Sequence, residues 1–137
     1  MKCYAVIDTN VLVSALLSSH DNASTVLVAE KVFSGDIIPL YSKEIINEYV
    51  DVLNRKKFCF SKETISILLS AIENNGVSVE PEASGEILPD TKDLPFYEVA
   101  LEMQNEEAYL ITGNIKHFPV KPYIVTPNQL LEILDNK

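Results

Sequence analysis

The sequence predicts an α/β domain built on a mostly parallel β-sheet with helices covering both faces. Two observations lead there. Short apolar runs of strand length alternate with segments of helical periodicity, and the spacers between them are short. A third sets the scale: 137 residues close one sizeable core and not two, so residues 1–137 are expected to form a single domain. With a hydrophobic fraction of 47% and only 4 glycines and 7 prolines, collagen-like, low-complexity and disordered readings are excluded.

Each element has its own signal. Cys3 to Ile7 reads as a short buried strand, and Asn10 precedes Val11, Leu12, Ala15 and Leu16 at helical spacing. A second helix runs from Ser24 to Phe33 and stops at Ser34-Gly35, ahead of a strand from Ile37 to Leu40. Ser42 is a natural N-cap for a helix through Asn54, in which Ile45, Ile46, Tyr49, Val50 and Leu53 recur at helical steps. Ser61, Glu63 and Thr64 open another helix over Ile65, Leu68, Leu69 and Ile72, which ends at Asn74-Asn75-Gly76 before a strand from Val77 to Val79. Pro81 to Pro95 is a Pro- and acid-rich loop. Asp93 then caps a helix to Gln104 with Phe96, Tyr97, Val99, Ala100 and Met103 as its buried side. Ala108 to Thr112 is a buried strand broken by Gly113, Tyr123 to Val125 is the last strand, and Pro127 to Leu134 closes the chain as a helix with Pro in its first turn.

Charge and cysteine usage exclude several classes. Eleven Lys and Arg stand against 20 Asp and Glu, a net charge of −9, so a generic basic nucleic-acid binder is ruled out. Cys3 and Cys59 form no CxxC or Cys/His pair, which argues against a zinc site or disulfide scaffold and for a reducing, cytoplasmic location. The apolar residues before Asp8 are no signal-peptide core, and Val11 to Leu17, interrupted by Ser14, falls short of the roughly 20 residues of a membrane span. No membrane element is expected.

In parallel sheets ligands bind beyond the carboxyl ends of the strands, so polar residues there carry information. Asp8 follows Ala5-Val6-Ile7 directly, where it caps the next helix or sits in a cleft as a charge needing a partner. Glu48 stacks with Ile45 and Val52 on its helix, either solvated or turned toward the sheet's end. Asp93 begins a later helix with Asp90 just upstream, and capping and metal binding can coexist there. Ile111-Thr112-Gly113-Asn114 ends a buried strand in hydroxyl, glycine and amide, groups suited to a phosphate or a metal-bound water. Three carboxylates gathered from separate segments repel one another, and a hard divalent cation such as Mg²⁺ or Mn²⁺ relieves that repulsion while activating water toward a phosphodiester.

These residues carry a resemblance. Ala5-Val6-Ile7-Asp8-Thr9-Asn10-Val11-Leu12-Val13-Ser14-Ala15, Glu48 within Glu44-Ile45-Ile46-Asn47-Glu48-Tyr49, Asp93 before Leu94-Pro95-Phe96, and Leu110-Ile111-Thr112-Gly113-Asn114 resemble the PIN domains, more narrowly the bacterial toxins of VapC type. The resemblance implies a three-layer α/β/α fold with a parallel sheet of about five strands and a Mg²⁺- or Mn²⁺-dependent endoribonuclease acting on single-stranded RNA. Asp8, Glu48 and Asp93 would be the metal ligands, with Thr9 and Thr112 as small hydroxyls nearby. Asn114 departs from the aspartate of many such nucleases; as a variant site residue bringing oxygen without charge, it predicts one well-bound ion or weak affinity rather than two tight ones. Thr9, Asn10, Thr112 and Lys116 are the expected substrate-positioning residues. An antitoxin protein and a homodimer are the partners the family implies.

Arg55, Lys56 and Lys57, and Lys116 with His117, read either as solvated surface or as holders of RNA phosphates. Asn114 and the acidic balance motivate an alternative, a catalytically silent PIN module that binds RNA or a protein. An aspartyl-phosphate phosphatase is set aside because Asn10 stands where that mechanism needs a second acid. A receiver domain fails for want of paired acids at the first strand.

Overall fold

The structure, a computed structural model, describes residues 2–136. Among these, five parallel strands, β1 (Cys3–Ile7), β2 (Ile37–Tyr41), β3 (Val77–Ser78), β4 (Tyr109–Ile111) and β5 (Ile124–Val125), form one sheet in the order β3-β2-β1-β4-β5. The helices are α1 (Thr9–Leu17), α2 (Ser24–Ser34), α3 (Lys43–Leu53), α4 (Lys62–Asn75), α5 (Leu94–Glu102) and α6 (Pro127–Asp135). α5 packs on β1, β2 and β4 and on α3, while α2 packs on β2 with α1, α4 and α6 beside it, which gives three layers, α/β/α. β1 lies at the centre of the sheet, and its Ala5, Val6 and Ile7 are buried, as a strand covered on both faces requires.

The strand order reverses at β1. From there the chain builds outward through β2 and β3, then returns to place β4 and β5 on the other side. The crevice at the carboxyl ends of β1 and β4 is therefore the topological switch point, the place where open parallel sheets bind ligands.

The expected elements are all present, with informative shifts at their ends. The ladder continues past β3, since the Val79 amide donates to the Tyr41 carbonyl at 2.7 Å. Gly76 is required there by close approach, because a Cβ would meet the Pro39 carbonyl oxygen. The helix expected to reach Gln104 stops at Glu102: the Gln104 side chain instead donates to the carbonyls of Ala100 (2.7 Å) and Ala108 (2.9 Å), tying the end of α5 to the approach of β4. On α3 the inward stripe is Ile45, Tyr49, Val52 and Leu53, and Val50, expected inside, is exposed. Ile65, Leu68 and Ile72 of α4 belong to the core. No helix among the described residues is long and apolar enough to cross a membrane.

Candidate functional site

At the switch point stands Asp8, 4% exposed, where β1 gives way to α1. Its backbone amide donates to the Ile111 carbonyl at 2.9 Å, so the β1–β4 ladder runs right up to it. Its carboxylate accepts from the Thr112 hydroxyl at 2.8 Å. That hydroxyl accepts in turn from the Asn114 backbone N–H at 3.0 Å, so the turn after β4 is folded onto the acid. Asp8 occupies the N-cap position of α1 but makes no side-chain capping bond. Burial pushes its carboxyl above the ordinary range. Thr112, the backbone amides of Thr9 and Asn10, and the charge of His117 oppose that push by favouring the ionised form.

Asp93 ends a single 3₁₀ turn, Thr91–Asp93, and leads into α5. Asp93 stands at the N-cap position of α5, as the sequence suggested, but makes no side-chain capping bond; Asp90 caps the preceding turn, its carboxylate accepting from the Lys92 backbone amide at 2.9 Å. Asp93 is thereby left uncommitted. Its carboxyl is raised to about 6 by burial first, then by Asp8 and Asp90, with His117 pulling it back and Glu48 adding to the rise. Asp93 Oδ2 is buried without a hydrogen-bond partner among the described residues, and His117 Nδ1 stands 3.6 Å away. Glu48, half-buried on α3, is near enough to raise both Asp93 and the Tyr49 phenol. It lines a cleft of about 350 Å³ with Glu44, Asn47, Asp51, Thr91 and Lys92.

The other expected site residues divide in two groups. Thr9 is buried, and its hydroxyl oxygen has no hydrogen-bond partner among the described residues. Asn10, Asn114 and Lys116 are exposed; Asn114 and Lys116 line a cleft with Gly113, His117 and Thr126. Two contributors escaped the sequence. Tyr49 donates its hydroxyl to the Ile7 carbonyl and so holds α3 over the carboxyl end of β1, with its ring packed on Phe96 at 6.0 Å, a tilted pair worth about 0.5–1.5 kcal/mol. His117, read from sequence either as solvated surface or as a holder of RNA phosphates, faces Asp93. Its place after the Thr-Gly-Asn turn was the available signal, and only the fold brings that turn beside the start of α5.

Among the described residues no group of three His, Cys, Asp or Glu side chains encloses a metal position. The donor set nonetheless fits a hard divalent cation in its chemistry. The carboxylates of Asp8, after β1, and Glu48, on α3, both act on Asp93 at the start of α5, and two buried oxygens of these segments, Thr9 Oγ1 and Asp93 Oδ2, have no hydrogen-bond partner among the described residues.

The PIN domain family model matches residues 4–116. Among solved structures, the chain is similar to VapBC2 from Rickettsia felis, determined bound to a DNA fragment from their promoter. The identity is 21% and the TM-score 0.54, over 89% of this chain and 96% of that one. It is also similar to PAE2754 from Pyrobaculum aerophilum, with 14% identity and a TM-score of 0.56, over 99% of this chain and 91% of that one. At these identities the likeness concerns the fold. No curated protein matches the chain.

Proposed function

Since this chain belongs to the PIN domain family, we propose that it is a metal-dependent endoribonuclease cutting single-stranded RNA, the toxin of a toxin–antitoxin pair. The observation that supports this best is the buried carboxylate of Asp8 at the switch point, hydrogen-bonded to Thr112 and electrostatically coupled to Asp93, with Asp93 coupled in turn to Glu48. On this reading Asp8, Glu48 and Asp93 hold Mg²⁺ or Mn²⁺, and Asn114 is a variant site residue whose missing charge leaves one well-bound ion. Such an ion would neutralise phosphate charge and make a water nucleophilic near neutral pH.

The chain's own residues supply the rest. The Thr112 hydroxyl orients the Asp8 carboxylate and, through the backbone N–H of Asn114, fixes the turn beside it. Tyr49 sets the height of α3, and hence of Glu48, over the strand ends. Asp93, raised to about 6, holds or releases a proton near neutrality when nothing else satisfies its buried oxygen. Thr9, Asn10, Thr112 and Lys116 position the substrate, Lys116 by charge. The same reading gives the protein an antitoxin partner, a homodimeric form and a cytoplasmic location.

The second reading, a silent PIN module that binds RNA or a protein, draws on Asn114, whose side chain is exposed and uncharged. Labelled single-stranded RNA incubated with Mn²⁺, Mg²⁺ or EDTA separates the two. Cutting that needs the metal and disappears in Asp8→Ala supports the nuclease; intact RNA at saturating metal supports the silent module.

A further inference from the structure

Beyond the acidic crevice the chain carries one concentrated patch of the opposite sign. Arg55, Lys56, Lys57 and Lys62 place four of its 11 cationic residues within eight positions, and residues 52–62 contain no Asp or Glu, in a protein of net charge −9. The segment is well ordered by its own contacts. Lys56–Phe58 form a single 3₁₀ turn, and Cys59 follows with φ 56°, a left-handed residue that reverses the chain between two phenylalanines. The rings of Phe58 and Phe60 stack with centroids 5.4 Å apart and planes 11° from parallel. Lys57 Nζ stands over the Phe58 ring at 5.1 Å. Both rings are half-buried, whereas Arg55, Lys56, Lys57 and Lys62 are exposed.

The patch adjoins the crevice. Asp51 lines the Glu48 cleft, one helical turn along α3, and takes the Arg55 guanidinium at 3.4 Å. A strand leaving Glu48 along α3 thus passes from carboxylates onto cations. The geometry points to residues 55–62 as a docking platform for the single-stranded RNA segment that flanks the cleaved bond: Arg55, Lys56, Lys57 and Lys62 contact its phosphates, and the Phe58–Phe60 stack offers an apolar floor to an unpaired base. Cations interleaved with aromatic rings suit single strands, whose bases are free to stack, and a duplex hides those faces. In a protein of net charge −9, such a platform offsets the repulsion between the polymer and the acidic surface.

This rests on the chain being an RNA-cutting protein, and its test is arranged so that the two can fail separately. Binding of a labelled 20-nucleotide single-stranded RNA is followed by fluorescence anisotropy in EDTA across a salt series, for three proteins: the wild type, Arg55→Gln/Lys56→Gln/Lys57→Gln, and the charge-matched control Lys2→Gln/Lys31→Gln/Lys121→Gln. In the patch variant the RNA affinity should fall at least tenfold and the slope of log affinity against log salt should drop by about 2, at roughly 0.7 per lost phosphate contact. The control should stay within twofold, and circular dichroism with thermal melts should show both variants folded. Lys56→Gln alone, expected to weaken binding about threefold, serves should the triple variant misfold. Equal weakening in patch and control, no weakening in either, or equal competition by duplex RNA or polyglutamate would each overturn the platform. Patch-dependent binding without metal-dependent cutting would keep the platform and sink the nuclease; cutting with patch-independent binding would do the reverse.

Discussion

The crevice at β1 and β4 and the turn at residues 55–62 both concentrate charge of one sign, and they treat it in opposite ways. In the crevice Asp8 is buried and Asp93 nearly so, and burial raises both carboxyls before any neighbour is considered. Charge there costs folding stability and waits for a counter-charge. In the turn the cations stand in water, where repulsion between them is screened and costs little. Buried charge of this kind is informative about chemistry; exposed charge is informative about reach.

The buried charge is tested most strongly at Asp8. Replacing it by Asn should leave RNA binding in EDTA within twofold and lower metal-dependent cleavage on the order of 10³-fold, since it removes the central charge while keeping the shape. Paired cleavage and anisotropy assays check this.

Asp93 tests the cost of burial. Its carboxyl is raised from 3.8 to about 6, so between those values the folded protein holds a proton that the unfolded chain releases. Stability from this group is therefore full below pH 4, falls as pH rises to about 6, and stays lower above it. Asp93→Asn should stabilise the metal-free protein at pH 7 by up to about 3 kcal/mol, with the gain vanishing at pH 3.5, while cleavage is lost. Urea unfolding at the two pH values measures the first part, and a gain of equal size at both would contradict the burial account.

Smaller effects follow at the supports. Tyr49→Phe removes the donor to the Ile7 carbonyl and should cost about 1–2 kcal/mol by urea unfolding, because that carbonyl is left buried without it. Smallest of all is Arg55→Gln. The Arg55–Asp51 pair is exposed, so the melting temperature should not move, and only RNA binding should, its affinity falling about threefold and its salt dependence softening.

Much of the fold was legible because its cues are local. Ser42 and Ser61 cap α3 and α4 through the amides of Ile45 and Thr64, and Gly35 ends α2 at φ 86°, as their sequence positions suggest. Asp8, Asp93 and Thr112 stood out for a related reason, since each sits where an apolar run or helix begins or ends, and Glu48 because it stacks with Ile45 and Val52 along α3. Less legible were roles set by partners distant in sequence. Asp93 stands at the N-cap of α5 without making the capping bond while Asp90 caps the turn before it, Val50 faces outward, and the phenol of Tyr49 reaches a carbonyl 42 residues away.

Local patterns in the chain are enough for the alternation of strands and helices, their caps and stops, and the acidic residues on them, because periodicity and capping act over a few residues. That β1 and β4 lie side by side emerges from the packed fold, and it places Thr112 on Asp8, His117 opposite Asp93 and the Tyr49 hydroxyl on the Ile7 carbonyl. Strand order and crossover are long-range choices, settled by which faces pack together, and no short stretch of sequence encodes them.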